Sequence, residues 1–227
     1  MRIPSVLAGL FALAAIHLGC PARAQDAVVT EQQMLINRSV ATIERLLTDD
    51  NFQRSLQPVF ERARAVLIVP NLLKAGFILG GEWGTGVLLV RGPQGWSHPA
   101  FYTVGAGSVG LQVGVQDSEV LFLVMTDAGL DAIMNNAIKM GAEVGVSFLI
   151  AGAGMEAATT SNLGADVYAY ARSFGIFGGG AFEGAVIRSR DSWNTAFYGP
   201  QATAEAIVIR RQYANPGAEK LREILAR

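Results

Sequence analysis

Gly105-Ala106-Gly107-Ser108-Val109-Gly110-Leu111-Gln112-Val113-Gly114-Val115 is the stretch that decides the fold. Its first six residues spell G-x-G-x-x-G, and Asp127 follows about twenty residues on, where a dinucleotide fingerprint wants an acid. That fingerprint works only if a helix begins inside it, so that free amide N–H groups can hold a pyrophosphate. Leu111 to Val115 instead alternates around another glycine, which is strand material. The motif therefore predicts a Gly-rich strand, not a nucleotide cradle. No G-x-x-x-x-G-K-[ST] phosphate loop occurs elsewhere in the chain.

Working outward, more strands surround this one. Ala65-Val66-Leu67-Ile68-Val69 is an apolar, β-branched run stopped by Pro70, which suits a buried strand. Phe77 to Arg91 reads as a hairpin or bulged strand pair, punctuated by Gly80, Gly81, Gly84 and Gly86. Gly92-Pro93-Gln94-Gly95 reads as a turn. Trp96 to Val104, Leu111 to Val115 and Val120 to Met125 are further strands, with Asp117-Ser118 as a turn between the last two. Asp127 to Met140 reads as a helix capped by Asp127, with Leu130, Ile133, Met134, Ala137 and Ile138 along one side. Val144 to Met155 is apolar and admits either strand or helix. Ala165 to Ser173 and Phe182 to Arg188 read as strands, with a bend at Gly178-Gly179-Gly180. Asp191 to Tyr198, Ala202 to Tyr213 and Ala218 to Ala226 read as helices.

Residues 25–62, ahead of all these strands, also read as helical. Thr30 and Gln33 make a capping box, and Ile36, Val40, Ile43 and Leu47 form an amphipathic stripe. Phe52, Leu56 and Phe60 suggest a second short helix, interrupted by Pro58. The polar face of these helices mixes acids and bases and reads as solvated. Strands thus cluster instead of alternating with helices, which predicts an α+β fold with a mostly antiparallel sheet and segregated helices.

The first 24 residues read as a secretory signal. Arg2 supplies the positive start, Val6 to Leu18 the apolar run, and Ala22-Arg23-Ala24 an A-x-A cleavage site. The mature chain would begin at Gln25, in the periplasm or outside the cell. Acylation at Cys20 is the alternative, although His17-Leu18-Gly19 matches a lipoprotein signal poorly. The expected organisation is a signal at 1–24, N-terminal helices at 25–62 and an α+β domain at 63–227.

Cleavage would remove Arg2 and Arg23 from 18 basic residues against 19 acidic ones, leaving a charge of −3. An acidic balance of this kind argues against nucleic acid as a partner. His17 and Cys20 would also go, leaving no thiol and a single imidazole, His98. A metal site would then rest on carboxylates alone, and no EF-hand run is present. Nucleophilic catalysis needs a base beside a nucleophile, yet His98 sits in Ser97-His98-Pro99 and reads as a turn or surface residue. A Ser–Lys pair using Lys74 or Lys139 has no spacing signal. The sequence therefore points to no cofactor and to a domain that is not an enzyme. Its 26 glycines serve backbone geometry, since they have no side chain to bury. Trp83, Trp96, Phe101, Tyr102 and Trp193 flank the Gly-rich turns, where they pack the core or form an amphipathic rim.

Taken in order, several segments resemble the SYLF-domain family. They run from Ala65 to Pro70, through Lys74-Ala75-Gly76-Phe77, Gly80-Gly81 and Gly84-Thr85-Gly86, to Trp96 to Phe101 and Gly107 to Gly114. Lys139-Met140-Gly141, Tyr168-Ala169-Tyr170 and Asn194 to Gly199 continue the series, so the resemblance spans roughly residues 35–213, nearly all of the mature chain. It implies a curved, barrel-like sheet and non-enzymatic association with lipid, in some members with phosphoinositides. Peripheral contact with a membrane lipid in the bacterial envelope is the expected role, and an envelope protein partner the alternative. Lys74 and Lys139 would contact headgroups, and Gly76, Gly80, Gly81 and Gly110 would let lipid approach the backbone. Two departures remove positive charge: Gly152-Ala153-Gly154-Met155-Glu156 lacks the family's Pro and Arg, and Phe174 stands where Lys is common. Attraction to anionic lipid is therefore expected to be weak.

Overall fold

Ala65 to Val69 are all completely buried, because the strand that carries them is covered on both sides. That strand, β1 (Ala65–Gly76), lies mid-sheet. The computed structural model describes residues 29–76, 79–109, 114–135, 148–152, 165–174 and 186–227. The other strands are β2 (Leu79–Gly92), β3 (Gly95–Trp96), β4 (Ala100–Val109), β5 (Gly114–Val124), β6 (Phe148–Gly152), β7 (Val167–Phe174) and β8 (Val186–Ser189). Across the sheet they run β6-β7-β5-β1-β2-β4-β8, with β3 attached to β2. All these pairs are antiparallel except β6 with β7. The sheet is curved but not closed, and the fold is α+β.

The helices are α1 (Glu31–Leu47), α2 (Asp50–Ser55), α3 (Gln57–Phe60), α4 (Asp127–Met134), α5 (Asp191–Tyr198), α6 (Ala204–Val208) and α7 (Glu219–Leu225). A 3-10 turn, Pro216–Ala218, leads into α7. Residue alternation along the strands sorts the core into two layers. On one face Val66, Ile68, Val87, Leu89, Leu121 and Leu123 pack with α1, α2, α3 and α7. On the other, Leu67, Leu88, Tyr102, Phe122 and Ala169 pack with α4 and α6. A strand buried on both faces must be apolar at consecutive positions, which is why Ala65 to Val69 does not alternate. The helices are grouped along the chain, yet they cover both sides of the sheet.

Local chemistry fixes the ends of α1. Thr30 Oγ1 accepts the Gln33 N–H at 3.2 Å, the first half of the capping box. The Gln33 side chain is spent elsewhere: it donates to the Gly217 carbonyl at 2.8 Å and ties α1 to the turn before α7. Ile36, Val40 and Ile43 are buried as the stripe predicts, while Leu46 takes the deepest place in the last turn and Leu47 is half-buried.

Several sequence expectations need correction. Pro70 does not stop its strand. It sits at a β-bulge, where the register slips between Ile68 and Asn71 against β2 and between Val69 and Leu72 against β5. A residue without an N–H is tolerated there because the ladder is already interrupted. Asp117 and Ser118 are not a turn; they pair with β1 and β7 inside the single strand β5. Thr126, not Asp127, caps α4, accepting the Gly129 N–H at 3.1 Å. The segment is indeed interrupted, but at Leu56: Pro58 itself stands in the first turn of α3, where its missing N–H costs no bond. The predicted helix over 202–213 is only α6. Val144 to Met155 contributes the strand β6. Residues 1–28, with the signal and Cys20, lie outside the described residues, as do Gly178 to Gly180 and the helix expected beyond Asn135.

Candidate binding site

The bulge at Pro70 decides which side chains line two concavities beside α1. One extra residue in β1 changes which of its side chains share a face with those of β2. Beyond the bulge, Leu73 pairs with Trp83 and Asn71 with Thr85. Trp83 and Thr85 share the face of Val87 and Leu89, the face that α1 covers. Gly84 and Gly86 make the bulge sterically possible. A Cβ on Gly86 would stand 2.5 Å from the Ile68 carbonyl oxygen, and one on Gly84 would stand 2.8 Å from that of Asn71. Only glycine allows so close a backbone approach.

Two neighbouring concavities result, and both are lined by Arg38 and Asn71. The larger, about 650 Å³, runs between α1 and the β1–β2 hairpin, past Met34, Leu73, Trp83 and Arg190. The smaller, about 360 Å³, lies over the bulge and reaches Arg45, Asp117 and Glu119. Both fall in the range of ligand clefts, about 300–1,000 Å³. The apolar rim is open to solvent: Trp83 is 64% exposed, Leu73 49% and Met34 42%.

The charged lining is ordered. Buried Glu119 accepts the Thr42 hydroxyl at 2.8 Å and pairs with the Arg45 guanidinium. Donation to Glu119 holds Arg45 above its ordinary pKa. At the bulge, Arg38 Nη1 donates to Asn71 Oδ1 at 3.4 Å, and Asn71 Nδ2 donates to Asp117 Oδ2 at 2.7 Å. Arg190 donates to Thr85 Oγ1 at 2.9 Å and lies over the Trp193 ring at 3.8 Å. The polar face of α1 is therefore not simply solvated: Arg38 and Arg45 face the sheet.

The residues singled out from sequence are partly gathered here. Lys74 pairs with Glu82, Ala75 with Gly81 and Gly76 with Gly80, so Lys74, Gly76, Gly80 and Gly81 continue the hairpin just beyond the Leu73–Trp83 pair. Gly110 and Lys139 lie outside the described residues. The aromatics divide. Trp96, Phe101 and Tyr102 are buried, Trp193 is partly buried, and Trp83 alone of the five is widely exposed. Gly105 and Gly107 lie within β4, so the G-x-G opening of the fingerprint is strand.

His98 is not a surface residue, its side chain being only 11% exposed. Its Nδ1 accepts the Asn215 N–H at 3.4 Å, which leaves the proton on Nε2, 3.4 Å from Glu219 Oε1. Burial, and then the Arg222 guanidinium, lower its pKa, with Glu219 acting in the opposite sense. Ser97 Oγ accepts the Val90 N–H and donates to the His98 carbonyl, so it is a backbone brace and is not poised on the imidazole. Among the described residues there is no group of three or more metal-ligating side chains placed to hold an ion, and no helix long and apolar enough to cross a membrane.

A helix-covered, mostly antiparallel sheet whose open groove presents charge beside apolar surface defines a domain of the α+β class. A family described as "Ysc84: Las17-binding protein actin regulator" matches residues 105–227, more than half of the chain. Protein YSC84 of Saccharomyces cerevisiae is 33% identical over 171 residues, 74% of this chain and 36% of that protein. LAS seventeen-binding protein 3 from the same yeast is also 33% identical over 171 residues, covering 74% of this chain and 37% of its own. The human SH3 domain-containing YSC84-like protein 1 is 27% identical over 169 residues, 74% of this chain and 49% of its own. The chain belongs to the Ysc84 family, the family of the SYLF domain. It spans about a third to a half of the length of these curated relatives. The family's description speaks of binding and of actin regulation, and none of these relatives is named as an enzyme.

Proposed function

We propose that the protein is an exported, non-enzymatic domain that binds phospholipid headgroups at the bacterial cell envelope, after cleavage near Ala24. The observation that carries this reading is the exposed Leu73–Trp83 pair beside a cavity lined by Arg38. A large apolar side chain gains about 1.5–3 kcal/mol when it leaves water, and here two neighbours leave that gain unclaimed. Tryptophan is suited to a membrane interface, where its ring is covered and its N–H stays wet. Lys74, Gly76, Gly80 and Gly81 continue the same hairpin in register and belong to the proposed contact surface.

Flotation of the purified protein with vesicles of bacterial polar lipids tests the reading. Trp83→Ala is expected to weaken vesicle binding at least tenfold, the scale of one buried aromatic ring. Folded protein that stays with no vesicle of any composition refutes the function. A second reading, an envelope scaffold that pairs with another protein, draws on the family's description as a Las17-binding actin regulator. In-cell cross-linking through position 83 separates the two, since a scaffold would yield one protein adduct and a lipid binder would not.

A further inference from the structure

We infer that the groove selects a zwitterionic phospholipid headgroup with a primary ammonium, of the phosphoethanolamine type, over a purely anionic one. The inference rests on the lipid-binding reading above and names the headgroup chemistry. Among the described lining residues of the two concavities, three guanidiniums (Arg38, Arg45 and Arg190) meet three carboxylates (Glu31, Asp117 and Glu119). A cleft built for anionic lipid would carry a surplus of cations. This one is balanced, in a chain whose formal net charge is −1.

The balance is also arranged in space. The buried Glu119 carboxylate is satisfied by Arg45 and Thr42, so it is closed to a ligand, and Arg45 is committed to it. Arg190 is turned to Thr85 and Trp193. Glu31 lines the larger concavity, and at the smaller one Arg38 and Asp117 remain, both exposed and joined to each other by no ion pair. The Asn71 amide stands between them, its oxygen toward Arg38 and its nitrogen toward Asp117. A cation and an anion held one amide apart make a dipolar receptor. It is complementary to a ligand whose phosphate and ammonium are separated by a short linker. The phosphate meets the Arg38 fork, which suits planar anion recognition. The ammonium donates to Asp117. The glycerol and first acyl carbons then lie along Met34, Leu73 and Trp83, toward which the larger concavity leads.

A quaternary choline head has no N–H to donate to Asp117, and a glycerol head has no cation, so three vesicle sets discriminate. Two contain the same fraction of phosphatidylglycerol, made up with phosphatidylethanolamine or with phosphatidylcholine, and the third is phosphatidylglycerol alone. The purified protein is expected to bind the ethanolamine set about three- to fivefold tighter than the other two, the scale of one solvent-exposed charge contact. Asp117→Asn should abolish that preference, whereas Arg38→Gln, which loses a phosphate contact common to all three, and Trp83→Ala should each weaken binding to every set. Equal wild-type binding to all three, or a preference that survives Asp117→Asn, overturns this inference and leaves the lipid-binding function standing. Absence of binding to every set overturns both. Circular dichroism of each variant confirms that it is folded before its binding is scored.

Discussion

The two halves of β1 make an instructive comparison. Ahead of the Pro70 bulge, Ala65 to Val69 have no exposure at all. Behind it, Asn71 and Leu73 are open to solvent while Leu72 between them is buried. The two halves belong to one continuous strand with the same two neighbours. What separates them is helix cover and a single inserted residue. The first half is scaffold, packed on both sides. The second has one face released, and the charged groups of α1 overlook it.

The sharpest way to break this contrast is to damage the covered half. Phe122→Ala, in a completely buried position opposite Leu67, should cost about 3–5 kcal/mol, read as a lower urea midpoint. A loss under about 1 kcal/mol would mean that the second layer is loosely packed and the contrast is false. Gly86→Ala attacks the boundary itself. Its methyl would collide with the Ile68 carbonyl, so the bulge must shift, with an expected loss of about 1–3 kcal/mol. A smaller effect follows from His98, away from the groove. Its pKa is lowered in the fold, so the unfolded chain takes up the proton more readily and stability falls as pH drops below the ordinary value of about 6.5. His98→Gln should flatten the stability profile between pH 7.5 and 5 without changing vesicle binding above pH 7. Trp83→Ala, in the released half, should change stability by no more than about 0.5 kcal/mol, because its ring is mostly in water. A large loss there would show that the rim is structural.

How much of this could be read in advance depended on sequence distance. Ala65 to Val69 announced a buried strand because five apolar residues in a row have no other economical use. Alternation, a local signal, argued against the fingerprint, and β4 running through Gly105 to Val109 leaves no helix start within the motif's first five residues. Pro70 misled because its usual effect on a ladder is to end it, and only the register on both sides reveals a bulge. Asp117-Ser118 misled because polar residues inside a strand look like a turn until their partners across it are known. The groove was the least legible part. It joins Arg38, Asn71 and Asp117, which are distant along the chain: Asn71 and Asp117 meet through the pairing of β1 with β5, and Arg38 reaches Asn71 where α1 lies on the sheet. Lys74 drew notice as a lone cation beside glycines, whereas the arginines of α1 were hidden in a mixed-charge helix face. The one clue available was the i, i+7 spacing of Arg38 and Arg45, which puts both on one side of α1.

The clasp between the chain's helical ends has a consequence for the order of events at birth. Gln33 holds the Gly217 carbonyl, and the Trp96 indole N–H holds that of Leu225 at 2.8 Å. A nascent polypeptide can assemble its hairpins and lay α1 on them early, but the α7 side of that layer stays uncovered until Leu221, Ile224 and Leu225 have been made. Closure across such separations is slow, and it comes last. Until then the molecule carries a greasy seam that a chaperone or a neighbour could occupy, so clipping off α7 should yield aggregation instead of a smaller working domain.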